Sequence, residues 1–374
     1  MKIIHLVLGK ANPERMNGIN RIVHELACAM QDAALDVEVW GITDDPQSPT
    51  PARSYPLRLY KPGSSRWKLT LELQRDLAAL EVGDRVHLHG ALLPEFGLAT
   101  RILRQVQVPY VITPHGAYAK AALRRKSIPK RLYISLVDER VVRSALAIQV
   151  NSESEASEFE ELFPGLSPLV IPNGQRLEDN QQRPVSKELE FCFCGRLDAK
   201  HKGLDLLLKG FEQYLSLGGT GRLTLIGDGP DNDLLRASAA PLGGSVRFLG
   251  ALYGQEKLSE LASASAFVHT SRHEGMPMAV LEAAALGLPL ILSAETNLAE
   301  PVQTWNAGLV IAPNTPKTIA ETFLKAETLW SAKTLTSLGL NAVEMIRADF
   351  SWQHIAKRIA IEAYSLAPQL NEAA

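Results

Sequence analysis

Residues 266–287 read AFVHTSRHEGMPMAVLEAAALG, and this stretch decides the fold. An apolar run, 266–270, meets a polar loop and then an Ala- and Leu-rich segment, 277–286. The first is a buried strand by length and composition, and the second is long enough for a helix. Pro277 suits the first helical position, where its missing N–H would have no partner anyway. Glu274 therefore sits in a strand-to-helix loop, and Gly275 beside it lets backbone amides come close to a ligand. A helix N-terminus attracts phosphate and hydroxyl-rich groups. Glu282 follows on the same helix, so two carboxylates can meet one polyol from different heights. Taken alone, they read equally well as a helix-terminal acid and a solvated glutamate. His273-Glu274 is not a zinc-protease motif, because the second histidine is missing.

The same alternation runs outward in both directions. In the second half, strands fall at 189–194, 222–226, 246–249, 288–292 and 308–311, with helices such as 203–217. In the first half they fall at 2–9, 37–42, 85–89, 110–113, 147–151 and 169–171, with helices at 20–31 and 94–106. Continuous apolar strands separated by helices imply parallel sheets covered on both faces. Between the halves, Asn173-Gly174 is a turn, and the polar stretch after it contains Pro184 and lacks apolar periodicity. The expected architecture is α/β, with two Rossmann-like βαβ domains facing across a cleft. They span 1–172 and 189–351, joined by a linker at 173–188, and ligands are expected at the carboxyl ends of strands. A last amphipathic helix, 352–365, carries Ile355, Ile359, Ile361 and Ala363 among polar residues.

Size and composition agree. A chain of 374 residues exceeds the span of one core. With 46% hydrophobic and 21% charged residues it is neither disordered nor fibrous. A formal net charge of −2 points away from nucleic acid, so anion recognition must be local. Cys28, Cys192 and Cys194 make a poor disulfide framework and fit a reducing compartment. Alternation puts Cys192 and Cys194 on one strand face, and without a further Cys/His cluster they read as core residues. The apolar start is short and runs into Asn12, Glu14 and Arg15, which fits a first strand rather than a secretory signal. No run approaches the ~18–20 apolar residues that span a bilayer.

Four further loops carry chemistry. Gly195-Arg196-Leu197-Asp198 ends the first strand of the second half, and Lys202-Gly203 opens its helix. An arginine fork with a lysine point charge can hold a diphosphate without metal; the alternative is two surface basic residues. Asn17-Gly18-Ile19 precedes the first helix, where glycine admits a phosphate, although the fingerprint G-x-G-x-x-G is absent. Thr113-Pro114-His115-Gly116 ends a first-half strand, and a lone histidine there is usually structural. Asp231 and Asp233 form an Asp-x-Asp triplet after Gly229-Pro230, where aspartates cap a helix more readily than they bind metal.

Together, Glu274 and Glu282 bracketing seven residues, Gly195-Arg196 with Lys202-Gly203, His115-Gly116, Pro172-Asn173-Gly174 and Gly227-Asp228-Gly229-Pro230 stand in an order that resembles the retaining glycosyltransferases of family 4, or group 1, with the GT-B fold. The resemblance covers nearly the whole chain. It implies that Arg196 and Lys202 bind the donor diphosphate, and that Glu274, with the amides of Gly275 and Met276 ahead of Pro277, holds sugar hydroxyls. It implies further that Glu282 contacts the ribose, that Gly18 lies near the phosphates, and that His115 lies near the donor sugar and reaction centre. The final helix often crosses back to the first domain in this family, starting here near Phe350-Ser351-Trp352. Two departures stand out: Gln175-Arg176 replaces the frequent acidic residue after Asn-Gly, and the first loop has one glycine where many members have two.

The expected activity is transfer of a hexose-type sugar from a UDP- or GDP-sugar to a glycan or lipid-linked hydroxyl, with retention. Arg196, Lys202 and helix N-termini would stabilise the leaving phosphate, so no metal or other cofactor is expected. The expected context is polysaccharide, lipopolysaccharide or glycolipid assembly. The alternatives are a nucleotide-sugar 2-epimerase of the same fold and a non-catalytic nucleotide-sugar-binding subunit. A dinucleotide-dependent oxidoreductase lacks its glycine fingerprint. The segment 120–143 is basic, with Lys120, Arg124, Arg125, Lys126, Lys130, Arg131, Arg140 and Arg143, and is interleaved with Leu123, Ile128, Leu132, Tyr133, Ile134 and Leu136. It reads as a peripheral contact with anionic lipid on the inner face of the membrane or, equally, as a solvated helix face; the protein itself is expected in the cytoplasm.

Overall fold

The computed structural model describes residues 1–12, 18–47, 52–124, 127–177 and 188–366. The chain forms two compact units, Met1–Gly174 with Trp352–Ala374, and Gln175–Ser351. Asn17 and most of the expected linker, 178–187, lie outside the described residues, as do Arg125 and Lys126.

The first unit is a seven-stranded sheet. Its strands are β1 (Ile3–Leu8), β2 (Val37–Ile42), β3 (Leu57–Tyr60), β4 (Arg85–His89), β5 (Tyr110–Thr113), β6 (Ala147–Val150) and β7 (Leu169–Val170), in the order β3-β2-β1-β4-β5-β6-β7. All neighbours pair in parallel. Because strand order reverses between β1 and β4, their carboxyl ends open a crevice. Alternation sorts the side chains: Ile4, Leu6, Val86 and Leu88 join one core, while Ile3 and Val7 join another. The helix Trp352–Arg358, continued by Ile359–Ala363 in a wider winding, closes that second face. Ile355 and Ile359 are fully buried there, at roughly 1.5–3 kcal/mol each. Ile361 is exposed, so the buried stripe is Ile355, Ile359 and Ala363 without it. Strand β3 and the helix Leu71–Ala78 were not read from the sequence.

The second unit repeats the plan with β8 (Glu190–Cys194), β9 (Arg222–Ile226), β10 (Val246–Gly250), β11 (Ala266–His269), β12 (Leu290–Ser293) and β13 (Gly308–Ile311). Their order is β10-β9-β8-β11-β12-β13, again all parallel. Phe191 and Phe193 face one core, and Cys192 and Cys194 the other. All three cysteines are free and buried, and burial pushes the Cys194 thiol up to about 11. Two glycines let the strand ends close together. A Cβ on Gly227 (φ +140°) would lie 1.8 Å from the Gly195 carbonyl oxygen, and one on Gly203 (φ +64°) 2.0 Å from that of Thr270. Only glycine fits such an approach.

Candidate active site

The loop after β11 is tied down residue by residue. Asn314 Nδ2 donates to the Thr270 carbonyl at 2.8 Å, and Ser293 Oγ to that of Ser271 at 2.7 Å. Asn297 Nδ2 donates to the carbonyls of Glu274 (2.7 Å) and Gly275 (2.9 Å). Across a trans peptide the N–H points opposite to its carbonyl, so the amides of Gly275 and Met276 face away from Asn297. A Cβ on Gly275 would meet nothing within 4 Å, so this backbone is open to a ligand. The helix that follows is Met278–Ala285. Pro277 is its N-cap rather than its first helical residue, with ψ at 103°.

Glu274 is the centre of this arrangement. Its Oε2 accepts a hydrogen bond from Lys202 Nζ, from Ser271 Oγ at 3.2 Å and from His269 Nε2 at 3.4 Å. Burial alone would push the carboxyl up. The His269 hydrogen bond and the Lys202 ammonium overcome that and hold it at about 2. The carboxylate is thus ionised under all physiological conditions. Lys202 comes from the loop after β8, seventy-two residues away in sequence, and reaches Glu274 because β8 and β11 are paired neighbours. His269 is buried, stacks on Phe193 and leaves Nδ1 without a partner. Neither His269 nor Asn297 was picked out from sequence; a polar residue ending an apolar strand is the signal that could have found the first.

The other sequence-picked residues fall into separate settings. Arg196 is exposed at the end of β8, and its guanidinium has no hydrogen bond or ion pair among the described residues. Arg272, in the loop after β11, is held bidentately by Asp205 at 2.7 Å on both nitrogens. Glu282 is buried rather than solvated, and pairs with Lys257 at 2.7 Å. Asp231 occupies the N-cap position of the helix Asn232–Ala239, yet its carboxylate accepts from the Ala199 N–H at 2.8 Å instead of capping that helix.

In the first unit, Gly18 opens the helix Gly18–Asp32 and is exposed. Asn20 in its first turn accepts from the Ala11 N–H at 2.7 Å, which fixes the loop after β1. His115 follows β5 with φ +52°, a left-handed conformation uncommon outside glycine. The next amide, Gly116 N–H, is held by Glu155 at 2.7 Å. Burial lowers the His115 imidazole to about 4. Beside it stand His5, His87 and His89, whose ring nitrogens lie within 4.8 Å of one another. The sequence reading passed over these three, although their period-two spacing in β4 and their place in β1 were visible.

The chain is similar in sequence to known proteins over both units. A family model described as Glycosyl transferases group 1 matches residues 175–345, and one described as Glycosyl transferase 4-like domain matches residues 17–174. Glycogen synthase of Mycobacterium tuberculosis is 28% identical over 284 residues, covering 74% of this chain and 67% of that protein. GDP-mannose:cellobiosyl-diphosphopolyprenol alpha-mannosyltransferase of Komagataeibacter xylinus is 28% identical over 313 residues, covering 81% of this chain and 76% of that protein. Among solved structures, Anabaena HepE in complex with UDP superposes with a TM-score of 0.71 at 17% identity, covering 98% of this chain and all of that one, a likeness of fold.

Proposed function

We propose that this chain, which belongs to the group 1 glycosyltransferases and uses a nucleotide sugar, moves a hexose-type sugar from a UDP- or GDP-sugar to an acceptor hydroxyl with retention of anomeric configuration. The observation that carries the reading is the ionised Glu274 held against Lys202 beside the open backbone at Gly275. A carboxylate accepts hydrogen bonds from sugar hydroxyls. An ammonium has three donors, so Lys202 can keep Glu274 and still meet a phosphate oxygen. Arg196, exposed and without a partner among the described residues, adds a fork for the diphosphate. As the sugar–phosphate bond breaks, negative charge grows on the leaving phosphate, and fixed cations lower that barrier without metal. In this reading Glu282 serves the ribose, Gly18 the phosphates, and His115 the sugar near the reaction centre. With no nucleophile assigned, the leaving phosphate itself takes the acceptor's proton on the same face.

The acceptor is proposed to be a glycan or lipid-linked hydroxyl in polysaccharide or glycolipid assembly. Support comes from the surface of the first unit, where Ile128, Leu132 and Leu136 are exposed at helical spacing among Arg131 and Arg140. Such a face suits peripheral binding to an anionic bilayer on its cytoplasmic side. No helix among the described residues is long and apolar enough to cross a membrane.

The test is a donor screen. Purified protein is offered a panel of UDP-, GDP- and ADP-sugars, with and without chelator, and release of nucleoside diphosphate and thermal stabilisation are followed together. Release from one donor, retained in chelator and lost in Glu274→Ala, is the expected result. Neither release nor donor-dependent stabilisation from any member would refute it.

A further inference from the structure

We propose that Met30, His5 and His89 form a buried hydrogen-bond chain that fixes the tautomer of His115, leaving His115 Nδ1 as the acceptor for a substrate hydroxyl. The use of Nδ1 rests on the transferase reading above; the tautomer does not.

The chain follows from the sheet. Parallel register puts His5 of β1 beside His87 of β4 and Val7 beside His89, so alternation brings all three imidazoles to one face. His5 Nε2 lies 3.3 Å from Met30 Sδ, His5 Nδ1 2.8 Å from His89 Nε2, and His89 Nδ1 3.1 Å from His115 Nε2. His5 and His89 are fully buried or nearly so. Burial keeps the rings neutral: His5 is lowered to about 3, His115 to about 4, and His89 is held well below its ordinary value. A neutral imidazole has one donor and one acceptor, while a thioether only accepts.

Those rules orient every link. Met30 Sδ must accept, so His5 carries its proton on Nε2 and accepts at Nδ1. His89 must then donate from Nε2 and accept at Nδ1. His115 must in turn donate from Nε2, which leaves its Nδ1 bare. That atom is buried and has no partner. An orphan acceptor in the interior is costly, and a ligand O–H removes the cost.

A neighbouring chain shows the contrast. Gln149 Nε2 donates to the Ile171 carbonyl at 2.9 Å, so Gln149 Oε1 accepts from Thr113 Oγ1 at 2.8 Å. Thr113 Oγ1 accepts from His87 Nε2 at 2.6 Å, and His87 Nδ1 accepts from Tyr364 OH at 2.7 Å. This chain ends on a backbone carbonyl with each link matched; the one through His115 ends open. The three-histidine cluster could also be read as a metal site. Nitrogens sharing one zinc at about 2.0–2.1 Å stand roughly 3.3 Å apart, whereas His5 and His89 approach to 2.8 Å, a hydrogen bond.

The test is nitrogen NMR of the full chain labelled with ¹⁵N-histidine, without substrate, on wild type and Met30→Leu. In wild type, His5, His89 and His115 should all carry the proton on Nε2. In Met30→Leu, which keeps side-chain volume but removes the terminal acceptor, His115 should show a measurable Nδ1–H fraction. Its kcat/KM for donor should fall about 3- to 10-fold, the scale of one neutral hydrogen bond. A proton on Nδ1 of His115 in wild type, stoichiometric zinc in the purified protein, or unchanged tautomers in Met30→Leu would each overturn the chain. A changed tautomer with unchanged turnover would overturn the use of Nδ1. Failure of wild type to turn over any donor would sink the transferase reading, while the tautomers would still be read.

Discussion

The carboxyl ends of the two sheets are built alike and charged differently. Both sheets are parallel, and in both the strand order reverses beside the strand that opens the unit. At that point the second unit carries Glu274 and Lys202 as a part-buried ion pair, with Arg196 exposed nearby in sequence. The first unit carries His5, His89 and His115, uncharged and bonded in series. The fold thus sets where a site can be, and the loop residues set its chemistry. Charge is needed where a diphosphate leaves. A neutral acceptor of fixed direction suits a hydroxyl that must be held but not ionised.

The largest expected effect tests whether charge matters on one side only. Lys202→Ala removes the cation and strands a part-buried carboxylate. By the scale of a lost transition-state donor, kcat should fall about 10²- to 10³-fold, and Glu274→Ala should do as much while the protein stays folded. His115→Ala removes one neutral acceptor and should cost about 3- to 10-fold in kcat/KM. Steady-state kinetics on the donor found in the screen ranks the three. Equal losses at Lys202 and His115 would erase the distinction between the two ends.

Acid should separate the units next. Glu274 is held at about 2 against an ordinary 4.5. Unfolded, it protonates below 4.5; folded, only near 2. Its stabilisation is therefore complete above 4.5 and lost as pH falls toward 2, on the order of 3 kcal/mol at about 1.4 kcal/mol per pH unit. His5 and His115 are lowered from 6.5 to about 3 and about 4. Unfolded, they protonate below 6.5, so their stabilisation is complete above 6.5 and lost as pH falls toward 4 and then 3. Asp138, raised by burial from 3.8 to about 6, works the other way and offsets part of this between 6 and 3.8. Between pH 6.5 and 4.5 the first unit should weaken more than the second, where His269 is also lowered by burial but stands alone against His5, His87, His89 and His115. Hydrogen exchange, corrected for intrinsic rates, should show protection falling in β4 peptides before β11 peptides. The reverse order would break the comparison.

Much of this was legible in the sequence, for a physical reason. Strands 37–42, 85–89, 110–113, 222–226 and 308–311 fall where apolar runs meet turn residues, and the structure ends them at the same positions. Strand β3 was missed because it is an edge strand of four residues, too short for the alternation of Leu57 and Leu59 with exposed Arg58 to stand out as a period. The Lys202–Glu274 pair could be placed only on two loops. Their meeting depends on β8 lying beside β11, and pairing order is not carried by periodicity. The histidine chain failed to appear for the same reason: alternation gives the face of each strand, but only register brings His5 to β4.

The last contrast concerns the outer surfaces, where the units also differ. Exposed large apolar residues of the second unit stand apart, such as Leu217 just past the helix Leu204–Ser216 and Leu340 within the helix Leu335–Met345. In the first unit, Ile128, Leu132 and Leu136 repeat every four residues, one helical stripe, with Arg131 among them. A contiguous apolar stripe edged with cations lies in a bilayer interface, whereas separated leucines do not. Ile128→Glu, Leu132→Glu and Leu136→Glu combined should lower partitioning onto phosphatidylserine-containing vesicles about tenfold at low salt, by lost apolar burial and added negative charge. Stability should move by no more than about 0.5 kcal/mol per site, because none of the three is packed. Leu217→Glu with Leu340→Glu, equally exposed but in the second unit, should leave partitioning unchanged. Co-sedimentation distinguishes them: equal losses would mean that adding negative charge alone weakens binding, and no loss in either would return the stripe to a solvated helix face.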